Sequence, residues 1–182
     1  TNFLHSVIIG ADVSVAPKST QPTVDKKIQD EPADAEAGAT NGWGNTADHD
    51  INESFQFKLD ATILAEANLA DYKTYKVKFN DTMSKGVTFE SIASVKVNGN
   101  NGTAAKTWTL ANTDYTATIP AAAEDGTQSW SLTIDDVIAK CEGIKIAQGF
   151  TVEVIYNAHL NEKATINNAS GTTDNKNSVN LE

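Results

Sequence analysis

Pro22-Thr23-Val24-Asp25-Lys26-Lys27-Ile28, read against Asn175-Lys176-Asn177-Ser178-Val179-Asn180-Leu181-Glu182, decides the fold. In the first stretch Val24, Lys26 and Ile28 share one face of a short β-branched strand, because side chains alternate along an extended chain. A cation therefore stands where a core side chain belongs. In the last stretch Asn177, Val179 and Leu181 alternate in the same way. Tyr75, Val77, Phe79, Asp81 and Met83 form the apolar face of a third strand, and there the polar exception is a carboxylic acid. The three exceptions are an amine, a carboxamide and an acid. They are the reactants and the proton carrier of a spontaneous lysine-to-asparagine isopeptide bond.

Working outward, residues 54–63 alternate Phe55, Phe57, Leu59, Ala61 and Ile63 against polar neighbours, and 150–160 alternate Phe150, Val152, Val154, Tyr156, Ala158 and Leu160. Trp130, Leu132 and Ile134 line a further strand, 91–97 alternates imperfectly, and 106–110 and 115–119 read as short strands. Asn98-Gly99-Asn100-Asn101-Gly102 is a turn signal, residues 135–141 have helical spacing behind Asp135 or Asp136, and 64–71 reads as a helical turn or a loop. Nine or ten strands with one short helix predict an all-β, immunoglobulin-like antiparallel β-sandwich. Residues 1–21 read as an N-terminal strand and linker segment, compatible with the tail of a preceding module, and 22–182 as one domain. Residues 29–52 are rich in Asp, Glu, Ala, Gly and Asn and read as a long loop around Trp43.

Fourteen basic against 24 acidic residues give the 182-residue chain a formal charge of −10, with no basic stripe, which disfavours nucleic acid and anionic membranes as partners. No apolar run approaches the ~20 residues of a membrane span, and no stretch reads as a signal peptide, so the chain reads as a mature fragment without membrane insertion. The single cysteine, Cys141, leaves no internal disulfide and reads as a buried apolar residue. Asp48-His49-Asp50 with Asn52 reads as a solvated acidic loop and not as a metal site, and no cofactor is expected. Histidines 5, 49 and 159 are scattered, so no turnover enzyme is expected beyond a single self-reaction.

Burial among Val24, Ile28 and facing aromatics disfavours the charged form of Lys26 and so frees its nucleophile. The same burial favours the protonated form of Asp81, which then polarises the Asn177 carbonyl and carries protons while ammonia leaves. By the chain-entropy treatment of cross-links, a bond from Lys26 to Asn177 stabilises the fold by about 5 kcal/mol. A one-residue slip would exchange Lys26 for Lys27. Asp60 is the competing acid but falls on the polar face with Gln56 and Lys58, and Asn175 and Asn180 compete with Asn177.

At these residues the chain resembles the fimbrial isopeptide-forming domain of Gram-positive pilins and surface adhesins, of the collagen-adhesin A-type, reversed immunoglobulin kind. The resemblance rests on residues 22–28, 72–89, 150–162 and 177–182 taken in order. It implies a Lys26 to Asn177 crosslink assisted by Asp81, and its family position favours Lys26 over Lys27. Val13-Ser14-Val15-Ala16-Pro17-Lys18 is similar to the pilin motif whose lysine a sortase joins to the next subunit, with Ala16 in place of the usual tyrosine. The resemblance implies an extracellular, cell-wall-anchored module whose partners are neighbouring pilin subunits joined through Lys18. The alternative is an adhesin that presents residues 29–52 to a host protein or a carbohydrate.

Overall fold

Among the described residues ten strands pair into two antiparallel sheets. The structure, a computed structural model, describes residues 21–29, 42–44, 47, 49–164 and 177–182. Lys18, Asn175 and most of the acidic loop lie outside the described residues. The strands are β1 (Thr23–Gln29), β2 (Trp43–Gly44), β3 (Ser54–Ile63), β4 (Val77–Met83), β5 (Val87–Asn100), β6 (Ala105–Thr109), β7 (Thr116–Thr118), β8 (Gln128–Ile134), β9 (Phe150–Leu160) and β10 (Asn177–Leu181). One sheet has the order β2-β1-β3-β9-β5-β6 and the other β10-β4-β8-β7.

Alternation dictates the core. Phe55, Phe57, Leu59, Ala61 and Ile63 from β3 are buried with Val152, Val154, Tyr156 and Ala158 from β9, and Val77, Phe79, Met83, Trp130, Leu132 and Ile134 meet them from the opposite sheet. β3 and β9 pair without a slip from Ser54 against His159 to Ile63 against Phe150. The predicted limits of both strands are the observed ones.

Elsewhere the local pattern and the fold diverge for identifiable reasons. β5 is longer than its alternation suggests, because register shifts between Phe89 and Ser91 and between Ile92 and Ser94 break the period. β4 begins at Val77, although the apolar face continues back to Tyr75. Tyr75 accepts from the Val137 amide at 2.7 Å and donates its own N–H to Asp136 Oδ1 at 3.1 Å, so its backbone serves the helix and not the ladder. That helix, α1 (Val137–Lys140), has Asp136 as its N-cap, accepting from Ile138 N. Residues 67–71 form a 3₁₀ turn that buries Leu69. Cys141 is fully buried, and burial pushes its thiol up to about 11. Among the described residues no helix is long and apolar enough to cross a membrane.

β1 and β10 belong to different sheets. β1 pairs with β3, placing Lys26 opposite Leu59, whereas β10 edges the second sheet against β4, placing Val179 opposite Asp81 and Asn177 opposite Met83. A bond between residues 26 and 177 would therefore staple one sheet to the other.

Candidate functional site

Among the described residues the buried charged residue of the sandwich is Asp81, 1 % exposed among apolar core side chains. Strand parity puts it there: Phe79 and Met83 flank it on the same face of β4, and Trp130 lies directly opposite on β8. From the facing sheet, Lys26 reaches across, and its Nζ donates to Asp81 Oδ2 at 2.6 Å and Oδ1 at 2.8 Å. The Lys26 side chain is 10 % exposed. Its ammonium also lies 4.9 Å from the centroid of the Phe57 ring and 5.5 Å from that of Tyr156, so its surroundings are one acid and two aromatic faces.

Each group is pushed toward its neutral form. Burial lowers the Lys26 amine from 10.5 to about 8, against the opposing pull of the Asp81 charge and hydrogen bonds. Burial raises the Asp81 carboxyl above its ordinary value, while Lys26 and Tyr156 act in the other direction. Moving one proton from lysine to aspartate yields a neutral amine beside a carboxylic acid without moving a heavy atom. That is the protonation state a nucleophilic lysine with an acid partner requires.

Tyr156 is the residue sequence reading places in the core without assigning to the site. Its hydroxyl donates to Asp81 Oδ2 at 3.0 Å, and its ring packs against Phe57, Phe89 and Trp130. A tyrosine amid Val152, Val154 and Ala158 on a fully buried face carries a hydroxyl that needs an internal partner, and that was the available signal. Tyr156→Phe keeps the ring and removes the donor; a loss of about 1–3 kcal/mol in urea unfolding is expected for taking one partner from a buried polar group.

The competing residues lie elsewhere. Lys27 is on the other face of β1, 3.5 Å from Asp25, and its side chain is 29 % exposed. Asp60 lies on the outer face beside Lys58 at 3.7 Å, and Asn180 is exposed opposite Asn80. The backbone of Asn177 lies in β10, two residues before Val179 and so on the parity of Asp81's partner. Trp43 pairs with the end of β1, and Lys58 Nζ sits 4.9 Å from its ring centroid. His49 donates through Nε2 to the Gln29 carbonyl at 2.8 Å and stacks on Phe55. Among the described residues no three His, Cys, Asp or Glu side chains gather for a metal ion.

The fold and the site together are a two-sheet immunoglobulin-like sandwich with a buried lysine–aspartate pair between its sheets. The chain belongs to the family described as Gram-positive pilin backbone subunit 2, Cna-B-like domain, whose family model matches residues 51–182. That description is B-like where the sequence resemblance reads A-type; the immunoglobulin-like sandwich is common to both readings. The fold is similar to that of the full-length major pilin SpaD from Corynebacterium diphtheriae, at 18 % identity and a TM-score of 0.53 over 88 % of this chain and 30 % of that one. It is similar also to the 35 kDa C-terminal fragment of the major pilin GBS80 of Streptococcus agalactiae, at 23 % identity and a TM-score of 0.52 over 89 % of this chain and 49 % of that one. The chain thus spans less than a third of the length of full-length SpaD. Among curated proteins no relative matches. Gram-positive pilins are extracellular surface structures, and the family gives this chain the structural role of a backbone subunit.

Proposed function

We propose that this chain is a pilus-backbone module that crosslinks its own two sheets through an isopeptide bond between Lys26 and Asn177. The observation that carries the reading is the buried ammonium of Lys26 at 2.6 Å from a buried Asp81. Transfer of a proton to Asp81 frees the amine. Lys26 Nζ then attacks Asn177 Cγ, the acid polarises the carbonyl oxygen, and the Cγ–Nδ2 bond breaks. The departing nitrogen takes up a proton through Asp81 and leaves as ammonia. Folding holds the reactants together, so effective concentration supplies the rate, and the module reacts once and with itself.

The test is an intact mass with a peptide map. The purified chain is expected to be one ammonia lighter than its sequence, with a branched peptide joining residue 26 to residue 177. Full calculated mass with both peptides linear would end the reading.

The resemblance of Val13-Ser14-Val15-Ala16-Pro17-Lys18 to the pilin motif supports a second part of the proposal, that a sortase joins Lys18 to the next subunit. Lys18→Ala is expected to abolish covalent ladders of pilin while leaving the internal crosslink intact; ladders that persist would remove Lys18 from that role. The adhesin alternative, with residues 29–52 as a ligand loop, has less support. Trp43, the aromatic such a loop would offer, is engaged by β1 and Lys58.

A further inference from the structure

Two Asn–Gly steps border the turn between β5 and β6, Asn98-Gly99 and Asn101-Gly102. In such a step the glycine nitrogen has no Cβ beside it, and the preceding carboxamide carbon lies within reach of a five-membered ring closure. The fold treats the two differently. Asn98 is paired on both sides, with Thr107 of β6 and Thr151 of β9, and its Oδ1 accepts from Thr107 Oγ1 at 2.7 Å. A Cβ at Gly99 would meet Phe150 Cβ at 3.2 Å and Ile144 Cδ1 at 3.3 Å, so that backbone is clamped in its extended form.

Asn101 lies beyond the ladder, and both it and Gly102 are exposed. Its Oδ1 accepts the N–H groups of Thr103 and Ala104, each at 2.9 Å, and Gly102 adopts φ +94°. Two amides aimed at one carboxamide oxygen are the arrangement that stabilises negative charge developing there. The Gly102 N–H, the nucleophile of the step, is held by Asn100 Oδ1 at 2.6 Å.

We propose that Asn101 is a self-modification site, distinct from the lysine crosslink, at which the carboxamide is lost by attack of the Gly102 backbone nitrogen. A bond forms between Gly102 N and Asn101 Cγ, the Cγ–Nδ2 bond breaks, and the leaving nitrogen carries off the displaced proton as ammonia. Water then opens the cyclic imide at either carbonyl, leaving aspartate or isoaspartate at position 101. The turn gains a negative charge and, in the isoaspartate form, an extra backbone carbon. Asn100 acts as the restraint on this reaction, because its oxygen holds the attacking N–H.

The test incubates the folded full chain at mildly alkaline pH and maps the peptide spanning residues 97–106 for the amide-to-acid mass change and for isoaspartate. Conversion at Asn101 with the Asn98 carboxamide retained is expected. Asn101→Gln should show no conversion in the peptide, and Asn100→Ala should convert severalfold faster. Retention of the Asn101 carboxamide in the folded protein while urea-denatured chain converts would overturn the site, as would equal conversion at Asn98. The cyclic imide and the crosslink each lack one ammonia, and the peptide map separates them by position.

Discussion

Asp81→Ala is expected to fold and to keep its full calculated mass, where the proposed crosslink makes the parent chain one ammonia lighter. The reason is twofold. The carboxyl is the group within hydrogen-bonding distance of Lys26 Nζ that can take its proton, and in the proposed reaction it is the acid that polarises the asparagine carbonyl. Removing it leaves the amine buried beside Phe57 and Tyr156 with its charge uncompensated. Breaking a buried pair from one side costs about 3–5 kcal/mol, a cost limited here by the ability of a lysine to lose its proton. Asp81→Asn separates shape from acidity, because the carboxamide fills the same space and still accepts a hydrogen bond but cannot relay a proton. It too should stay uncrosslinked, with a smaller loss of stability. Complete crosslinking in either variant would remove Asp81 from the reaction.

The second large effect belongs to Asn177→Ala, which leaves Lys26 and Asp81 in place and takes away the electrophile. Loss of the proposed bond, which closes a loop of roughly 150 residues, is expected to remove about 5 kcal/mol and to lower Tm by about 10–20 °C in a domain of this size. A pH signature accompanies it. The free Lys26 amine sits at about 8 in the fold against 10.5 ordinarily, so between those values the unfolded chain binds the extra proton. Stability of the variant therefore rises with pH across that window, by up to about 3 kcal/mol if the shift is fully expressed. Asp81 has the opposite sign. Its raised value means that the folded state holds the extra proton above the ordinary carboxylate range, and its contribution falls as pH climbs through that interval. With the proposed crosslink formed, the parent's Lys26 is an amide nitrogen and does not titrate. Denaturant unfolding across the alkaline range should show the rise in Asn177→Ala and not in the parent; a rise of equal size in both would mean that the lysine is free in each.

The proposed crosslink accounts for a cation in the core of a structural module. A buried lysine–aspartate pair is at best a weak contributor to stability when both charges must be desolvated. A pair that neutralises itself and is then consumed in an amide escapes that cost. For a fibre subunit the mechanical side follows from the topology: the proposed bond ties β1 of one sheet to β10 of the other, so tension entering at β1 passes to β10 without crossing the ladders between them.

The sequence by itself determined which residues face inward. Side-chain alternation is a property of an extended backbone alone, so the parity of Val24, Lys26 and Ile28 and of Phe79, Asp81 and Met83 was legible before any partner strand was known. The same local geometry made β3 and β9 readable to the residue and marked Asp135 or Asp136 as the start of a short helix, of which the structure selects Asp136. Tertiary structure decided which inward residues meet. Lys26 and Asp81 are 55 positions apart and Tyr156 and Asp81 are 75 apart, and no periodic pattern reaches over such separations. Only the packing of one sheet on the other brings the Tyr156 hydroxyl to the Asp81 carboxyl, delays the start of β4 to Val77 because the Tyr75 backbone serves the helix, and puts the first and last strands in different layers. The physical division is between the twofold repeat of a single strand, which the chain carries in its own order of residues, and the burial of two apolar faces against each other, which exists only once both sheets have formed.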